Sequence, residues 1–314
     1  MKSTINPPKK LLIILGPTAV GKSALAIKLA QEFKGEIINC DSMQVYQGFN
    51  IGTDKIPVEK RAGIPHHLLD IIPPTYQFTA ADFVRLALAA IEQIRDRHHL
   101  PIITGGTGLY LKALLEGLFP GVGRHPAIRA KLEAQSQNDG LTSLWQKLRT
   151  VDPEYAKKIS PQDKIRVIRA LEVYEASGLP LSRHFAQTKS FVEGFSVIKI
   201  GLKLKRNELY QRINQRVQRM FASGLIQEVA RLQEQGIPED APPFRALGYK
   251  YAHQVLRGQL SEEKAIELTQ RDTRHYAKRQ MTWFKGMKGI HWFSPNQVAQ
   301  IIEFIKKKWN SDEY

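Results

Sequence analysis

Five consecutive apolar residues, Leu11 to Leu15, run directly into Gly16-Pro17. An unbroken apolar stretch closed by a turn signal predicts a strand buried on both faces, as in a parallel sheet. A helical pattern follows from Lys22 to Phe33, and a second short run, Glu36 to Cys40, stops at Asp41. From Ala80 to about His98 the spacing sets Phe83, Leu86, Ala87, Ile91 and Ile94 on one face of a long helix. Leu100-Pro101-Ile102-Ile103-Thr104 predicts a third strand, closed by Gly105-Gly106. Strands alternating with helices predict an α/β fold with a parallel sheet and right-handed crossovers.

The pattern changes after about Gly117. Between Pro120 and Phe195 no stretch has the character of a buried strand; residues 126–138, 141–150 and 162–177 are amphipathic helical segments separated by Pro, Gly and Asp. Alternation returns at Phe195 to Leu204, where the chain is expected to rejoin the sheet. Residues 207–285 are mostly helical in pattern, and Lys306-Lys307-Lys308 is expected to be a frayed helix end. The predicted organisation is an α/β core, residues 1–119 and 195–314, interrupted by a small helical insertion domain, residues 120–194. No internal repeat or low-complexity tract is present.

The chain has 314 residues, 42% hydrophobic and 24% charged, ordinary for a globular protein with a sizeable core. Lys and Arg outnumber Asp and Glu by 46 to 30, a formal net charge of +16, which points to a polyanionic partner rather than to a fold. A generally basic, well-solvated surface is the plainer alternative, because counts say nothing about clustering. The single cysteine, Cys40, excludes an internal disulfide and suggests a reducing compartment. No apolar run reaches the length of a signal-peptide core or a membrane span, so a cytoplasmic protein without a membrane partner is expected.

Residues 16–23, Gly16-Pro17-Thr18-Ala19-Val20-Gly21-Lys22-Ser23, match the P-loop pattern in full, between a predicted buried strand and a predicted helix. Glycines let the backbone curl so that N–H groups face phosphate oxygens, and the helix start adds its positive end. Lys22 would bring a charge to the terminal phosphate and Ser23 a hydroxyl to Mg²⁺, a hard cation that prefers oxygen. The fold class is therefore α/β, a P-loop parallel-sheet core with an inserted small helical domain. The motif implies a diphosphate or triphosphate but not which molecule carries it. The aspartate that usually ends a second strand in P-loop ATPases is missing, because strand 100–104 leads into Gly105-Gly106-Thr107.

Asp41 stands at the end of the second strand, where parallel sheets gather ligands, and would share an edge with the P-loop. A carboxylate there would accept a proton from an attacking amine. Asp41 with Gln44 three residues on also reads as a helix capping box, and the residues alone do not separate the two. Thr107, read alone, is better explained as a helix N-cap. His66 and His67 are adjacent, a poor spacing for one metal, and read as structural.

Taken in order, GPTAVGKS, CDSMQVYQG, IGTDK, PHHLLDI and GGTGLY, followed by IRALEVYEASG, RINQRV, FRALGYK and AKRQMTWFK, resemble the tRNA dimethylallyltransferase family over nearly the whole chain. The resemblance implies that the P-loop, Gly16 to Ser23, holds dimethylallyl diphosphate rather than ATP, with Arg216 as a second cation and Arg212 as a weaker candidate better explained by i,i+4 pairing. It implies that the acceptor is N6 of the adenosine 3′ of the anticodon, that Asp41 takes the N6 proton, and that Thr107 lies at the reacting centre. It implies tRNA contacts from Asp41, Ser42, Met43, Gln44, Thr107, Arg129, the segment Ile165, Arg166, Val167, Ile168 and Arg169, the loop Arg245, Ala246, Leu247, Gly248, Tyr249 and Lys250, and Lys278 and Arg279. Mg²⁺ on Ser23 is the expected cofactor, and the anticodon stem-loop of tRNA and dimethylallyl diphosphate are the expected partners of a monomer. With one Cys and an end soon after Trp309, the chain is expected to be of the bacterial type, without the zinc finger of eukaryotic members.

A stacked adenine must be flipped out to reach such a pocket, at a cost of a few kcal/mol. Arg271, Arg274, His275 and Lys278 share one helical face, with Tyr276, Trp283 and Phe284 interleaved; basic residues neutralise phosphates and aromatics stack on splayed bases. Most of Trp283 and Phe284 is expected to pack on the core instead. Three other functions fit a P-loop: a prenyltransferase for free adenine nucleotides, a small-molecule kinase, and a non-catalytic RNA-binding protein. The insertion and the basic C-terminal helices favour a larger acceptor than AMP.

Overall fold

The computed structural model describes residues 9–119 and 123–311. They divide into two compact units, Ala113–Glu193 and the remainder of the chain. In the larger unit six strands form one parallel sheet: β1 (Lys9–Leu15), β2 (Gly35–Cys40), β3 (His66–His67), β4 (Leu100–Gly105), β5 (Phe195–Leu202) and β6 (Ile290–Phe293), in the spatial order β3-β2-β4-β1-β5-β6. The fold is α/β, as the alternating pattern predicts.

The helices before the smaller unit are α1 (Lys22–Glu32), α2 (Ala80–Asp96) and α3 (Gly108–Glu116). α2 starts where the sequence marks it: Thr79 accepts from the Asp82 amide and Asp82 accepts in return, a complete capping box. Within 113–193 lie α4 (Pro126–Asn138), α5 (Gly140–Val151), α6 (Pro153–Ala156), α7 (Lys164–Ser177) and α8 (Leu181–Ala186). This unit has its own core of Leu132, Leu144, Leu148, Val167, Ile168 and Leu171. α7 is capped at its start by Asp163 and ends on Gly178 in the left-handed region. The chain returns through α9 (Arg206–Ala222), α10 (Leu225–Glu234), α11 (Leu247–Leu256), α12 (Glu262–Lys285) and α13 (Val298–Ser311).

β1 is central, with Leu11 to Leu15 wholly buried. Leu12 and Ile14 meet α1, α9 and α13 through Leu25, Leu29, Leu209, Ile213, Ile301 and Trp309. A second cluster joins the 45–49 segment to α9, α10 and α11. The strand registers pair Cys40 and Leu15 with the same residue, Gly105, so three loops leave the sheet from one level of its carboxyl edge. These are the loop of the P-loop motif, the loop starting at Asp41, and the loop starting at Gly106.

Three elements differ from the pattern reading. β3 has two residues and β6 four half-buried ones, too short to show a period of their own. The smaller unit opens inside α3, and part of the linking segment, 120–122, lies outside the described residues. Lys306-Lys307-Lys308 is not frayed: α13 runs on to Ser311, anchored by Trp309, which is 5% exposed and meets the Phe33 ring edge-on.

Candidate active site

The loop after β1 curls tightly between the strand and α1. Gly16 holds φ 147°, and a Cβ there would lie 2.6 Å from the Leu202 carbonyl oxygen, so only glycine fits. Ala19 sits in the left-handed region at φ 64°, and Gly21 at φ 107° leads into α1. Lys22 Nζ donates to the Pro17 carbonyl at 2.9 Å. Burial pulls the Lys22 ammonium down to about 8, against the opposing pull of Asp41 and with a further push from Arg216.

Asp41 leaves β2 facing this lysine. Its Oδ1 accepts from the Met43 amide at 2.9 Å, an Asx turn, and residues 42–45 form a turn rather than a helix. The capping-box alternative is thereby removed: Gln44 reaches instead to the Thr53 carbonyl at 2.9 Å. Among the described residues Asp41 has no ion pair. Thr107 does not cap α3 with its hydroxyl either. Its Oγ1 accepts from the Ser42 amide at 3.1 Å and its own amide donates to Cys40 O at 3.2 Å, stitching the Asp41 loop to the loop after β4.

The 50–54 segment forms a third wall. Buried Glu228 accepts from the amides of Asn50 and Ile51, and from the Tyr249 hydroxyl, which in turn accepts from the Gly52 amide at 3.2 Å. Burial pushes the Tyr249 phenol far above its usual range, so it stays protonated. The segment presents Asp54, whose Oδ2 meets Arg216 Nη1 at 3.1 Å. Arg216 is only 16% exposed, and its Nε is buried without an acceptor. Arg212 pairs with Glu208 one turn away at 2.9 Å, both ends exposed.

Together these walls enclose a cavity of about 620 Å³. Thr18, Ala19, Gly21, Lys22 and Ser23 line it on one side, Asp41, Ser42, Met43 and Gln44 on another, with Arg212, Arg216 and the stretch Arg245 to Gly248. A glycine loop bearing Lys22 thus stands opposite a carboxylate that has no ion pair among the described residues. The IPP transferase family model matches residues 44–287. The chain is 46% identical to the tRNA dimethylallyltransferase of Geobacter sulfurreducens, over 90% of this chain and 91% of that one. It is 44% identical to that of Thermomicrobium roseum, over 98% and 95%. Among solved structures it resembles the tRNA isopentenylpyrophosphate transferase of Bacillus halodurans, at TM-score 0.72 and 39% identity over 97% of this chain and 98% of that one. It also resembles a eukaryotic dimethylallyltransferase described as acting on tRNA, at TM-score 0.79 and 34% identity over 93% and 75%.

The chain belongs to the IPP transferase family.

The family model begins at residue 44, beyond the P-loop and Asp41, which the geometry above brings to one cavity. Within this family member, α12 supplies the wall that the sequence reading missed. Thr269, Thr273 and Tyr276 line the cavity at helical spacing, on the face away from the basic residues. The signal was present as polar side chains recurring every three or four residues, but it is hidden among still more polar neighbours. Arg274 of the basic face is committed to α9, donating to Asn214 Oδ1 at 2.7 Å and lying over the Tyr210 ring. Lys278 and Arg279 are exposed, Arg279 above Tyr276. Phe284 is buried as expected, whereas Trp283 is 38% exposed and covers Gly108. Of the 245–250 stretch, Tyr249 is a core residue and Lys250 is exposed over Tyr251.

In the smaller unit of the IPP transferase chain, Ile165 is 72% exposed and Arg166 pairs with Asp163 at 3.2 Å. Val167 and Ile168 are buried in the core, so their side chains offer nothing at the surface; this corrects the reading of the whole 165–169 segment as a contact surface, since a helix exposes only part of its circumference. Arg129 and Arg169 both turn to fully buried Glu172, at 3.5 and 3.1 Å. Burial would raise the Glu172 carboxyl, but the His125 amide and the two guanidiniums hold it below its usual range. His67 bonds Glu36 at 2.7 Å and His66 the Ile64 carbonyl at 2.8 Å.

Proposed function

We propose that this protein transfers the dimethylallyl group of dimethylallyl diphosphate to N6 of the adenosine 3′ of the anticodon in tRNA and releases diphosphate. The observation that carries the reading is a single cavity in which Lys22 and its loop face Asp41. One side suits an anion that gathers charge, the other an amine that loses a proton. The relatives' names, tRNA dimethylallyltransferase and tRNA isopentenylpyrophosphate transferase, supply the substrates.

In the reaction the N6 lone pair forms a bond to the allylic carbon while the carbon–oxygen bond breaks and its electron pair leaves with the diphosphate. Asp41 takes the N6 proton. Its Asx turn leaves Oδ2 free of any bond to the Met43 amide, so one oxygen orients and the other is available to receive. Lys22, the loop amides and Arg216 stabilise the charge that builds on the leaving diphosphate. The orphaned Arg216 Nε supports this: a buried donor without an acceptor is costly unless a ligand supplies one. Thr107 fixes the Asp41 loop through the Ser42 amide, beside the reacting centre.

The residues also fit Mg²⁺. Ser23 lines the cavity at the start of α1, and buried Thr104 Oγ1, in the same cavity wall, lacks a partner that a bound water would satisfy. A cation of this kind needs only one or two protein oxygens beside phosphate and water. When bound it neutralises charge on the diphosphate.

The tRNA is held by Ser42, Met43, Gln44 and Thr107 at the flipped adenine, by Arg245 to Gly248 and Lys250, by Lys278 and Arg279, and by Ile165 and Arg166 in the 113–193 unit. Arg129 and Arg169 serve that unit by holding Glu172 as well as by adding charge. The protein acts as a cytoplasmic monomer; no helix among the described residues is long and apolar enough to cross a membrane. Incubation with total tRNA, dimethylallyl diphosphate and Mg²⁺ should yield prenylated adenosine by mass spectrometry and no product on free AMP. Product on AMP alone, or ATP consumption without prenylation, would refute the reading.

A further inference from the structure

Gln280 lies on α12 one step beyond the cavity-facing stripe and is 5% exposed. Its two amide atoms bond to different loops. Oε1 accepts from the Thr18 amide at 2.8 Å, and Nε2 donates to the Gly106 carbonyl at 2.9 Å. The two partners fix the amide orientation, since an N–H must meet the oxygen and a carbonyl the nitrogen. Thr18 belongs to the anion cradle; Gly106 precedes Thr107, which holds the Asp41 loop. One side chain therefore joins the two loops from which the phosphate cradle and the base are built.

The neighbouring backbone is shaped to admit it. A Cβ on Gly106 would lie 2.2 Å from Gln280 Nε2, so any other residue would drive the amide away. Other side chains do not meet the same demands. Asn is one methylene short of spanning both loops, Glu lacks the donor for Gly106, and Leu or Met leaves a buried N–H and a buried carbonyl unpaired.

We propose that Gln280 is a positioning residue for the reaction: it holds the P-loop open in its phosphate-binding shape and in register with the loop that carries Thr107. The loop it restrains contains Gly16 at φ 147° and Ala19 at φ 64°, conformations an unrestrained segment adopts only part of the time. The inference rests on the reading of the cavity as a diphosphate site, and it names a residue that acts through the loops rather than on the substrate.

The test is calorimetric titration of inorganic diphosphate with Mg²⁺ into the full chain as wild type, Q280L, Q280N, G106A, Q280A, the G106A/Q280A pair and K22A, with steady-state KM and kcat beside it. Q280L and Q280N should bind diphosphate roughly tenfold or more weakly, equivalent to about 1.4 kcal/mol, and raise the KM for dimethylallyl diphosphate by a similar factor. Affinity for tRNA should stay within about twofold, because the basic residues occupy the other face of α12. G106A should reproduce the Q280L defect, and the double variant should be no worse than Q280A alone, the non-additivity expected of one shared contact. A merely structural Gln280 would lower Tm and leave diphosphate affinity and KM intact. That result in any folded Gln280 variant, while K22A is impaired, overturns the role of Gln280. Failure of the wild type to bind diphosphate, or K22A binding as well as wild type, overturns the reading of the cavity instead. If Q280L does not fold, Q280N, which keeps one of the two bonds, decides.

Discussion

β2 carries a carboxylate at each end, and the two are treated in opposite ways. Glu36, near its start, is 1% exposed; Arg97 grips both oxygens at 2.9 and 2.7 Å, and His67 and His99 each add a bond at 2.7 Å. The Arg97 hydrogen bonds, joined by those of the two histidines, outweigh the penalty of burial and hold its carboxyl down to about 2. Asp41, just past the other end, keeps one backbone amide, no ion pair among the described residues, and a lysine across a cavity. A satisfied carboxylate stabilises a fold and does little else. An unsatisfied one facing an empty volume is available for chemistry. The difference turns on which end of a parallel strand each occupies, since only the carboxyl edge gathers the loops.

The sharpest test of this contrast is Asp41→Asn. The amide keeps the size of the side chain and its acceptor for Met43 but cannot take a proton. Turnover should fall by roughly 10³-fold, within the range for loss of a general base, with tRNA affinity and Tm retained. Turnover within about threefold of wild type would place the base elsewhere.

Next in size are the cations opposite. Lys22→Ala should weaken diphosphate binding by roughly 10²-fold. The pH dependence has a definite sign. With the ammonium held down to about 8, the free enzyme loses this charge as pH rises through that value, so diphosphate affinity should fall between pH 7 and 9. Lys22→Arg stays charged across that window and should show no such fall, even if its absolute affinity is lower. Parallel profiles for the two proteins would remove Lys22 from the anion site.

Glu36 should respond in stability, not in catalysis. Glu36→Gln leaves buried donors poorly matched and should cost about 1–3 kcal/mol in denaturant unfolding, with turnover per folded molecule unchanged. Its carboxyl is depressed in the fold relative to an ordinary value of 4.5. The stability it contributes is therefore complete above that value and is lost as pH falls from there toward about 2. Acid unfolding in that window should flatten in Glu36→Gln. A catalytic defect without a stability loss would erase the contrast between the two ends of β2.

What the sequence could and could not disclose follows the same division. Leu11 to Leu15, the glycine loop and Asp41 are readable because strand, turn and edge position are local properties. β3 is not, since two residues carry no period. Gln280, Thr269 and Thr273 are masked for a different reason: their helical spacing is hidden among charged neighbours that make the helix look solvated, and only the folded chain shows that this face is turned inward. Glu172 likewise carries no local signal of its burial, which becomes evident only where Arg129 and Arg169 converge on it. The capping-box reading of Asp41 and Gln44 fails because no helix follows them. The residues needed were right, but the backbone after β2 turns.

The smallest expected effect separates two arginines one turn apart on α9. Arg212 is 42% exposed and bonded to Glu208, itself 46% exposed, an i,i+4 pair. Such pairs contribute about 0.3–0.5 kcal/mol, and long-range attraction from a solvated guanidinium is screened by salt. Arg216 is far less exposed, is braced by Asp54, and has a buried Nε awaiting an acceptor. Arg212→Ala should therefore change the KM for dimethylallyl diphosphate by less than about threefold, and that change should vanish at high salt. Arg216→Ala should raise it by roughly 10- to 100-fold at any salt, because its charge acts where water is excluded. If Arg212→Ala proves the more damaging, diphosphate draws Arg212 away from Glu208 on binding, and the exposed arginine, not the braced one, completes the cradle.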